Sequence, residues 1–321
     1  MMARLVGLTI CALLAATPAL AAPDTTPHQI RMVPVDKDVS LEVVDWGGNG
    51  LPLIFLAGLG ETAHEFDDFA PKFTGSHHVY GITRRGFGAS SAPPPTDKNY
   101  DADRLGDDVV SVMDALNLKR PILVGHSIAG EELSSVASRY PQKVTGLIYL
   151  DATYAEAFYD PTKTWDAWVD SALVRRKLAE LTNAPPSRAR KIVQDLQTLL
   201  PHLRRSLQNA LAEYEGRPDW PVEPETDQNG IPWAIIRNDR QYSDIKPPAL
   251  VIAASPHKCS NNCDSPGVKR REENWAKQLK VVQAGFHSAH MVLLPNADHH
   301  LFRSNEAQVE QEMNAFMDGL K

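Results

Sequence analysis

Cysteine, net positive charge and membrane-length apolar segments are all scarce in this 321-residue sequence, and each scarcity narrows what the chain does. Of its three cysteines, Cys11 falls in an N-terminal segment expected to be removed, which leaves Cys259 and Cys263 in the loop Cys-Ser-Asn-Asn-Cys. Nearby His257 does not complete a four-ligand zinc set with them, and an even pair in an exported chain points instead to a small local disulfide. Lys and Arg number 33 against 40 Asp and Glu, for a formal net charge of -7, and no basic run exceeds Lys269-Arg270-Arg271. Nucleic acid is therefore not an expected partner. His287, His290, His299 and His300 straddle a strand without a His-x-x-x-His helix pair or acids in register, so no metal and no cofactor are expected. Internal repeats and long low-complexity segments are absent.

The apolar stretch from Leu5 to Ala16, behind Arg4, meets Pro18 before it reaches the roughly 20 residues that a transmembrane helix requires. With Ala19-Leu20-Ala21 following, it has the form of a secretory signal over residues 1–22 and a cleavage site after Ala21 or Ala22. The expectation is a secreted or periplasmic protein with no stable membrane anchor. Removing that segment discards one arginine and no acid, which leaves the chain slightly more acidic and favours solubility.

What the chain does have is an alternation of short apolar runs with helical patterns. Gln29 to Val35 and Val39 to Trp46 alternate around Asp36-Lys37-Asp38 as a β-hairpin, and Leu51 to Ala57 reads as a buried strand feeding Gly58-Leu59-Gly60. A strand over His78 to Ile82 follows, then a helix from Asp101 to Leu116 with Leu105, Val109, Val112, Met113 and Leu116 at helical spacing. Strand Val144 to Leu150 ends on Asp151. From Ala152 to Lys246 strands vanish and a helix-rich, charged insertion takes over. Pro247 to Ala253 resumes the sheet, Val268 to Phe286 is a helix, His290 to Leu294 a last strand and Glu306 to Leu320 a terminal helix. This order predicts an α/β fold with a mostly parallel sheet, its core formed by residues 23–151 and 247–321 and interrupted by a helical insertion over 152–246.

Between those elements lies Pro121-Ile122-Leu123-Val124-Gly125-His126-Ser127-Ile128-Ala129-Gly130, an apolar run that stops on a serine among small residues. Glu131-Glu132-Leu133 then opens a helix, so Ser127 sits on a strand-to-helix turn that holds its hydroxyl out of the sheet at a helix N-terminus. Gly-x-Ser triplets also arise by chance, and Ala129 stands in the usual fifth position with the glycine displaced to Gly130. The element order around the triplet is what favours a nucleophile turn.

These residues resemble the α/β-hydrolase superfamily. Leu56-Ala57-Gly58-Leu59-Gly60 is similar to its oxyanion loop, Arg85-Gly86-Phe87-Gly88-Ala89-Ser90 to the loop after the next strand, and Gly125-His126-Ser127 to its elbow. Pro295-Asn296-Ala297-Asp298-His299 is similar to its histidine loop. The resemblance implies Ser127 as nucleophile, His299 as its base, and an oxyanion hole from the backbone N–H groups of Leu59 and Ile128. The acid stays open. The family's usual position, after the strand that resumes the sheet, reads Ala253-Ala254-Ser255-Pro256-His257-Lys258, with lysine about where an aspartate is expected. Asp151, at the end of the strand after the elbow helix, is the first choice, and Asp264, beside the cysteine loop, is the second; a turn-forming role is the competing reading of Asp151.

The function expected from this resemblance is an exported serine hydrolase that cleaves a carboxylic ester or related acyl bond of a small molecule through an acyl-enzyme. A lactone, an amide or a carbon–carbon bond beside a carbonyl suits the same residues, and a non-catalytic binding protein on the same scaffold is the alternative of a different class. Epoxide hydrolase or dehalogenase chemistry would require aspartate where Ser127 stands. Phe158, Tyr159, Trp165 and Trp168 in the insertion are candidates for a pocket lining or for the insertion's own core.

Overall fold

The short apolar runs of the sequence pair into one eight-stranded sheet. The computed structural model describes residues 27–152, 158–214, 227–238, 240–260 and 263–320, so the expected signal at 1–22 and the insertion segments 153–157 and 215–226 lie outside the described residues. In chain order the strands are β1 (Gln29–Asp36), β2 (Val39–Gly48), β3 (Leu51–Leu56), β4 (His77–Ile82), β5 (Ile122–His126), β6 (Gly146–Leu150), β7 (Ala249–Ala254) and β8 (Ala289–Leu294). The helices are α1 (Asp97–Tyr100), α2 (Ala102–Ala115), α3 (Gly130–Arg139), α4 (Ala167–Thr182), α5 (Pro186–Tyr214), α6 (Asp227–Ile236), α7 (Pro266–Gly285), α8 (Leu301–Ser304) and α9 (Glu306–Asp318).

The sheet order is β1-β2-β4-β3-β5-β6-β7-β8. β1 and β2 form the expected antiparallel hairpin, β2 is antiparallel to β4, and β3 to β8 are mutually parallel. β3 sits between β4 and β5, so the chain winds outward from it in both directions. The crevice at the carboxyl ends of such strands is where open parallel sheets assemble their sites. Strands β5, β6 and β7 are buried along their whole length, which is why they read as continuous apolar runs and not as alternations.

Alternation along β3 shows the two faces. Ile54 and Leu56 join Val109, Met113, Leu133 and Val136 from α2 and α3, while Leu53 and Phe55 join Phe66, Phe69, Phe73 and, from α9, Val309 and Met313. Helix α2 starts where Asp101 accepts from the backbone N–H groups of Asp103 and Arg104, the N-cap that its acidic residue supplies.

The insertion between β6 and β7 contributes α4, α5 and α6. Val174, Ile192 and Leu196 join α4 to α5, whereas Leu178 and Leu200 of the same apolar pattern stay half exposed. Ile231, Ala234 and Ile235 of α6 pack onto Ile128, Tyr100 and Leu105, with Leu59 and Phe87 at the margin. Trp165 is tied to α7 by two hydrogen bonds: its N–H donates to Asn274 Oδ1 (3.1 Å) and its carbonyl accepts from Asn274 Nδ2 (2.8 Å). Cys259 and Cys263 are bridged, as the cysteine pair predicts, with Cα atoms 5.7 Å apart. Among the described residues no helix is long and apolar enough to cross a membrane.

Candidate active site

β5 delivers Ser127 into a single 3-10 turn, Ser127–Ala129, that passes directly into α3. Ser127 has φ 56°, the left-handed region that costs an L-residue about 1–2 kcal/mol, so the surrounding packing must hold it. Two glycines supply that packing. A Cβ on Gly125 would lie 2.7 Å from Leu133 Cδ1, and one on Gly130 would lie 1.9 Å from the Ala152 carbonyl oxygen. The displaced glycine of the motif therefore has a local reason: residue 130, and not 129, is where the helix start meets the chain leaving β6.

The pairing of β5 with β6 sets His126 opposite Leu150, so the next residues, Ser127 and Asp151, emerge side by side at the sheet's carboxyl edge. Asp151 also turns with positive φ (49°), and its N–H donates to Ile252 O at 2.8 Å. The loop after β8 brings His299 between them, with Nδ1 2.7 Å from Asp151 Oδ2 and Nε2 2.9 Å from Ser127 Oγ. A carboxylate only accepts, so Nδ1 carries the hydrogen and Nε2 presents its lone pair to the serine hydroxyl. Asp264, the second candidate acid, is fully exposed and pairs with Lys269 at 3.1 Å.

A residue missing from the sequence reading of this site is His257. The loop after β7, where the family's acid is usual, instead places His257 Nε2 3.1 Å from Asp151 Oδ2, while the Ala254 N–H donates to Asp151 Oδ1 at 3.0 Å. Glu272 of α7 faces the other ring nitrogen at 3.2 Å and accepts from the His257 N–H at 3.0 Å. Burial by itself would raise the Asp151 carboxyl, yet His257 and His299 beside it hold it below the usual 3.8. Burial pulls His257 down, but Asp151 and Glu272 outweigh it and raise it above 6.5.

Linkage gives these shifts opposite signs. The stability from Asp151 is complete above its ordinary value of 3.8 and is lost as pH falls through the lowered folded value. That from His257 is complete below 6.5 and is lost as pH rises through the raised folded value. Thermal melting across pH is therefore expected to show an alkaline decline that His257→Gln lessens without abolishing, since His126 is raised as well; an unchanged decline in that variant would remove His257 as a source.

The loop Gly58-Leu59-Gly60 after β3 is held from beneath. Buried Arg84 donates to Ala57 O (2.9 Å) and Gly58 O (3.1 Å) while pairing through Nη2 and Nε with Glu132 at the start of α3. Leu59 and Ile128, the expected oxyanion donors, meet in one apolar cluster beside Ser127. Below them Glu61, Glu65, His126 and His300 gather. His126 Nε2 donates to the His299 carbonyl at 3.1 Å, and His300 Nε2 lies 2.8 Å from Glu61 Oε1. Burial pulls the His126 imidazole down, but the two glutamates push it up to about 9. Burial raises the Glu65 carboxyl.

A cavity of about 390 Å³ opens beside His299 and Asp151, walled by Tyr159, Trp165 and Trp275 and edged by Asn274 and Gln278. Of the aromatic candidates in the insertion, Tyr159 and Trp165 line it, and Phe158 packs on Phe286 with ring centroids 5.0 Å apart. The Trp168 side chain lies outside the described residues.

Comparison with known proteins identifies the fold. A family model described as alpha/beta hydrolase fold matches residues 52–293. The 2-hydroxymuconate semialdehyde hydrolase of Pseudomonas sp. (strain CF600) is 30% identical over 153 residues, 42% of this chain and 53% of that protein. Epoxide hydrolase A of Mycobacterium tuberculosis is 36% identical over 90 residues, 27% of this chain and 28% of that protein. The chain thus spans about half or less of the length of these curated relatives. The crystal structure of an esterase from Rhodococcus sp. ECU1013 superposes with a TM-score of 0.59 at 16% identity, covering 91% of this chain and 99% of that one. That of E-2-(acetamidomethylene)succinate hydrolase superposes with a TM-score of 0.57 at 20% identity over 91% of this chain and 100% of that one. With an elbow after β5, the parallel sheet beneath it and a family match across most of its length, this chain belongs to the alpha/beta hydrolase fold family.

Proposed function

We propose that the protein is an exported serine hydrolase that cleaves a carboxylic ester or related acyl bond of a small molecule. The observation that carries this reading is the unbroken hydrogen-bond series from Asp151 Oδ2 through His299 to Ser127 Oγ, at 2.7 and 2.9 Å, with the serine on a left-handed turn. A serine hydroxyl becomes a competent nucleophile when a base within reach takes its proton, and a carboxylate behind the imidazole stabilises the imidazolium then formed.

In this mechanism Ser127 Oγ attacks the substrate carbonyl carbon as His299 Nε2 accepts the hydroxyl proton. The Leu59 and Ile128 N–H groups receive the alkoxide, and His299 returns the proton to the leaving alcohol. Water, deprotonated by His299, then attacks the acyl-enzyme, and His299 passes that proton to Ser127 Oγ as the acid leaves. The insertion over 152–246 serves as a cap: α6 closes over Ile128 and Leu59, and Tyr159 and Trp165 wall the cavity beside His299. Its three aromatic walls favour a small or medium apolar or aryl group, with the unpartnered Gln278 Nε2 to orient a polar substituent. Export is supported by the N-terminal signal pattern and by the Cys259–Cys263 disulfide. The relatives named for epoxide hydrolysis do not alter the choice of bond, because Ser127 stands where that chemistry requires aspartate.

Intact-mass labelling with a fluorophosphonate tests the reading, with short, medium and long p-nitrophenyl esters as substrates. One adduct per chain is expected, lost in both Ser127→Ala and His299→Ala; a folded sample that takes no label would favour a binding scaffold. Asp151→Asn is expected to lower kcat by about 10⁴-fold through the wrong imidazole tautomer, and Asp264→Asn to leave it unchanged. Equal effects of the two would remove Asp151 from the mechanism.

A further inference from the structure

Glu61, Glu65, His126 and His300 come from three separate stretches of chain, yet one ligand atom from each lies within 4.8 Å of all the others. His126 Nδ1 is 3.5 Å from Glu61 Oε2 and 3.4 Å from Glu65 Oε2. His300 Nε2 is 2.8 Å from Glu61 Oε1 and 4.0 Å from Glu65 Oε2. Four ligands about 2.0–2.1 Å from a tetrahedral zinc ion stand about 3.4 Å from one another, a spacing that this range brackets.

The buried polar atoms of the cluster point the same way. His126 Nε2 faces a carbonyl oxygen, which only accepts, so that nitrogen carries hydrogen and Nδ1 is the ring atom turned toward the two carboxylates. The His126 side chain is 1% exposed and that of Glu65 is 4%, yet neither Nδ1 nor Glu65 Oε2 has a hydrogen-bond partner. Two carboxylates gathered in a largely buried setting call for a cation among them, a charge that either an imidazolium or a metal ion supplies. A proton on Nδ1 meets the charge but not the geometry, because at 3.4 and 3.5 Å it leaves Nδ1 and Glu65 Oε2 without a formed hydrogen bond, whereas a metal ion would be coordinated by both. Two carboxylates with two neutral imidazoles balance a dipositive charge.

We propose that Glu61, Glu65, His126 and His300 bind one divalent transition-metal ion of the zinc class. Mixed imidazole and carboxylate donors suit zinc, and four protein ligands make a closed, structural site. Its outer partners are in place: Glu65 Oε1 accepts from the Gly58 N–H at 2.9 Å, and His126 donates to the His299 carbonyl. The ion would tie the loop carrying Leu59 to the end of β5 and to the histidine loop. No step of the proposed hydrolysis passes through it, so the site stands or falls apart from that reading.

The test uses the untagged full-length protein, stripped with a chelator, loaded with Zn²⁺, desalted and assayed for metal by mass spectrometry. Cobalt(II) serves as the spectroscopic probe of four-coordinate geometry. Glu61→Gln and His300→Gln are the variants, since both side chains are about one-third exposed and their replacement spares the buried members. One zinc per chain is expected, raising Tm, with affinity lowered at least about 10-fold in each variant, the least that loss of even an outer partner costs. Fluorophosphonate labelling should persist in the zinc-loaded protein. Absence of retained zinc overturns the proposal. So does zinc bound equally by both variants, and zinc that blocks labelling while ignoring these substitutions would instead occupy Asp151, His257 and His299.

Discussion

Alanine at Ser127 or at His299 is expected to lower ester turnover by about 10⁶-fold, and the double variant no further. The two side chains act on one proton, so once either is gone the other has nothing to do. The loss corresponds to about 8 kcal/mol of barrier at 1.36 kcal/mol per decade. What remains should come from substrate binding and from the N–H groups of Leu59 and Ile128, which neither substitution removes. Because Ser127 already occupies a left-handed turn, with φ 56°, alanine there inherits the same strain and should leave Tm nearly unchanged. Burst-calibrated kcat on a p-nitrophenyl ester, beside a melting curve, measures both halves. A double variant a further thousand-fold slower, on the order of another 4 kcal/mol, would mean that the two residues work in separate steps.

Arg84→Met should be strongly destabilising, at about 3–5 kcal/mol, because it strands the Glu132 carboxylate in the interior. Both partners are almost wholly buried, and the same guanidinium holds the Ala57 and Gly58 carbonyls. Arg84→Met with Glu132→Leu removes the stranded charge and should recover most of the stability in urea unfolding, since apolar pairs replace buried ion pairs at little cost. It should not recover kcat, because the loop presenting Leu59 still lacks the donors that fix its carbonyls. That split separates the charge pair's role in folding from the guanidinium's role in positioning the loop. A single variant destabilised by less than about 1 kcal/mol would place water, not Arg84, as the main partner of Glu132.

Much of this was legible in the sequence because it depends on local pattern. β5, β6 and β7 announce themselves as continuous apolar runs, and Ser127 and His299 stand in turns whose small residues mark them. The acid was harder: Asp151 is an ordinary strand-end aspartate until the register with β5 sets it beside Ser127. His257 stayed hidden for a related reason. The loop after β7 is the family's usual place for the carboxylate, while this chain keeps the carboxylate just beyond β6 and sends a histidine across to hold it. Arg84 with Glu132, and Glu61 and Glu65 with His126, join segments far apart in sequence, and no periodicity reports such contacts.

The contact of Gly130 with the Ala152 carbonyl has a consequence for how this scaffold tolerates change. The insertion departs at Ala152, one residue beyond Asp151, and the chain re-enters the sheet at β7, whose last residue, Ala254, bonds the same aspartate. The departure of the chain at Ala152 and the far end of β7 at Ala254 are therefore both fixed beside Asp151. An alanine at position 130 is expected to act as a wedge there, its Cβ meeting the Ala152 carbonyl oxygen at 1.9 Å and prising the chain beyond Asp151 away from the serine turn.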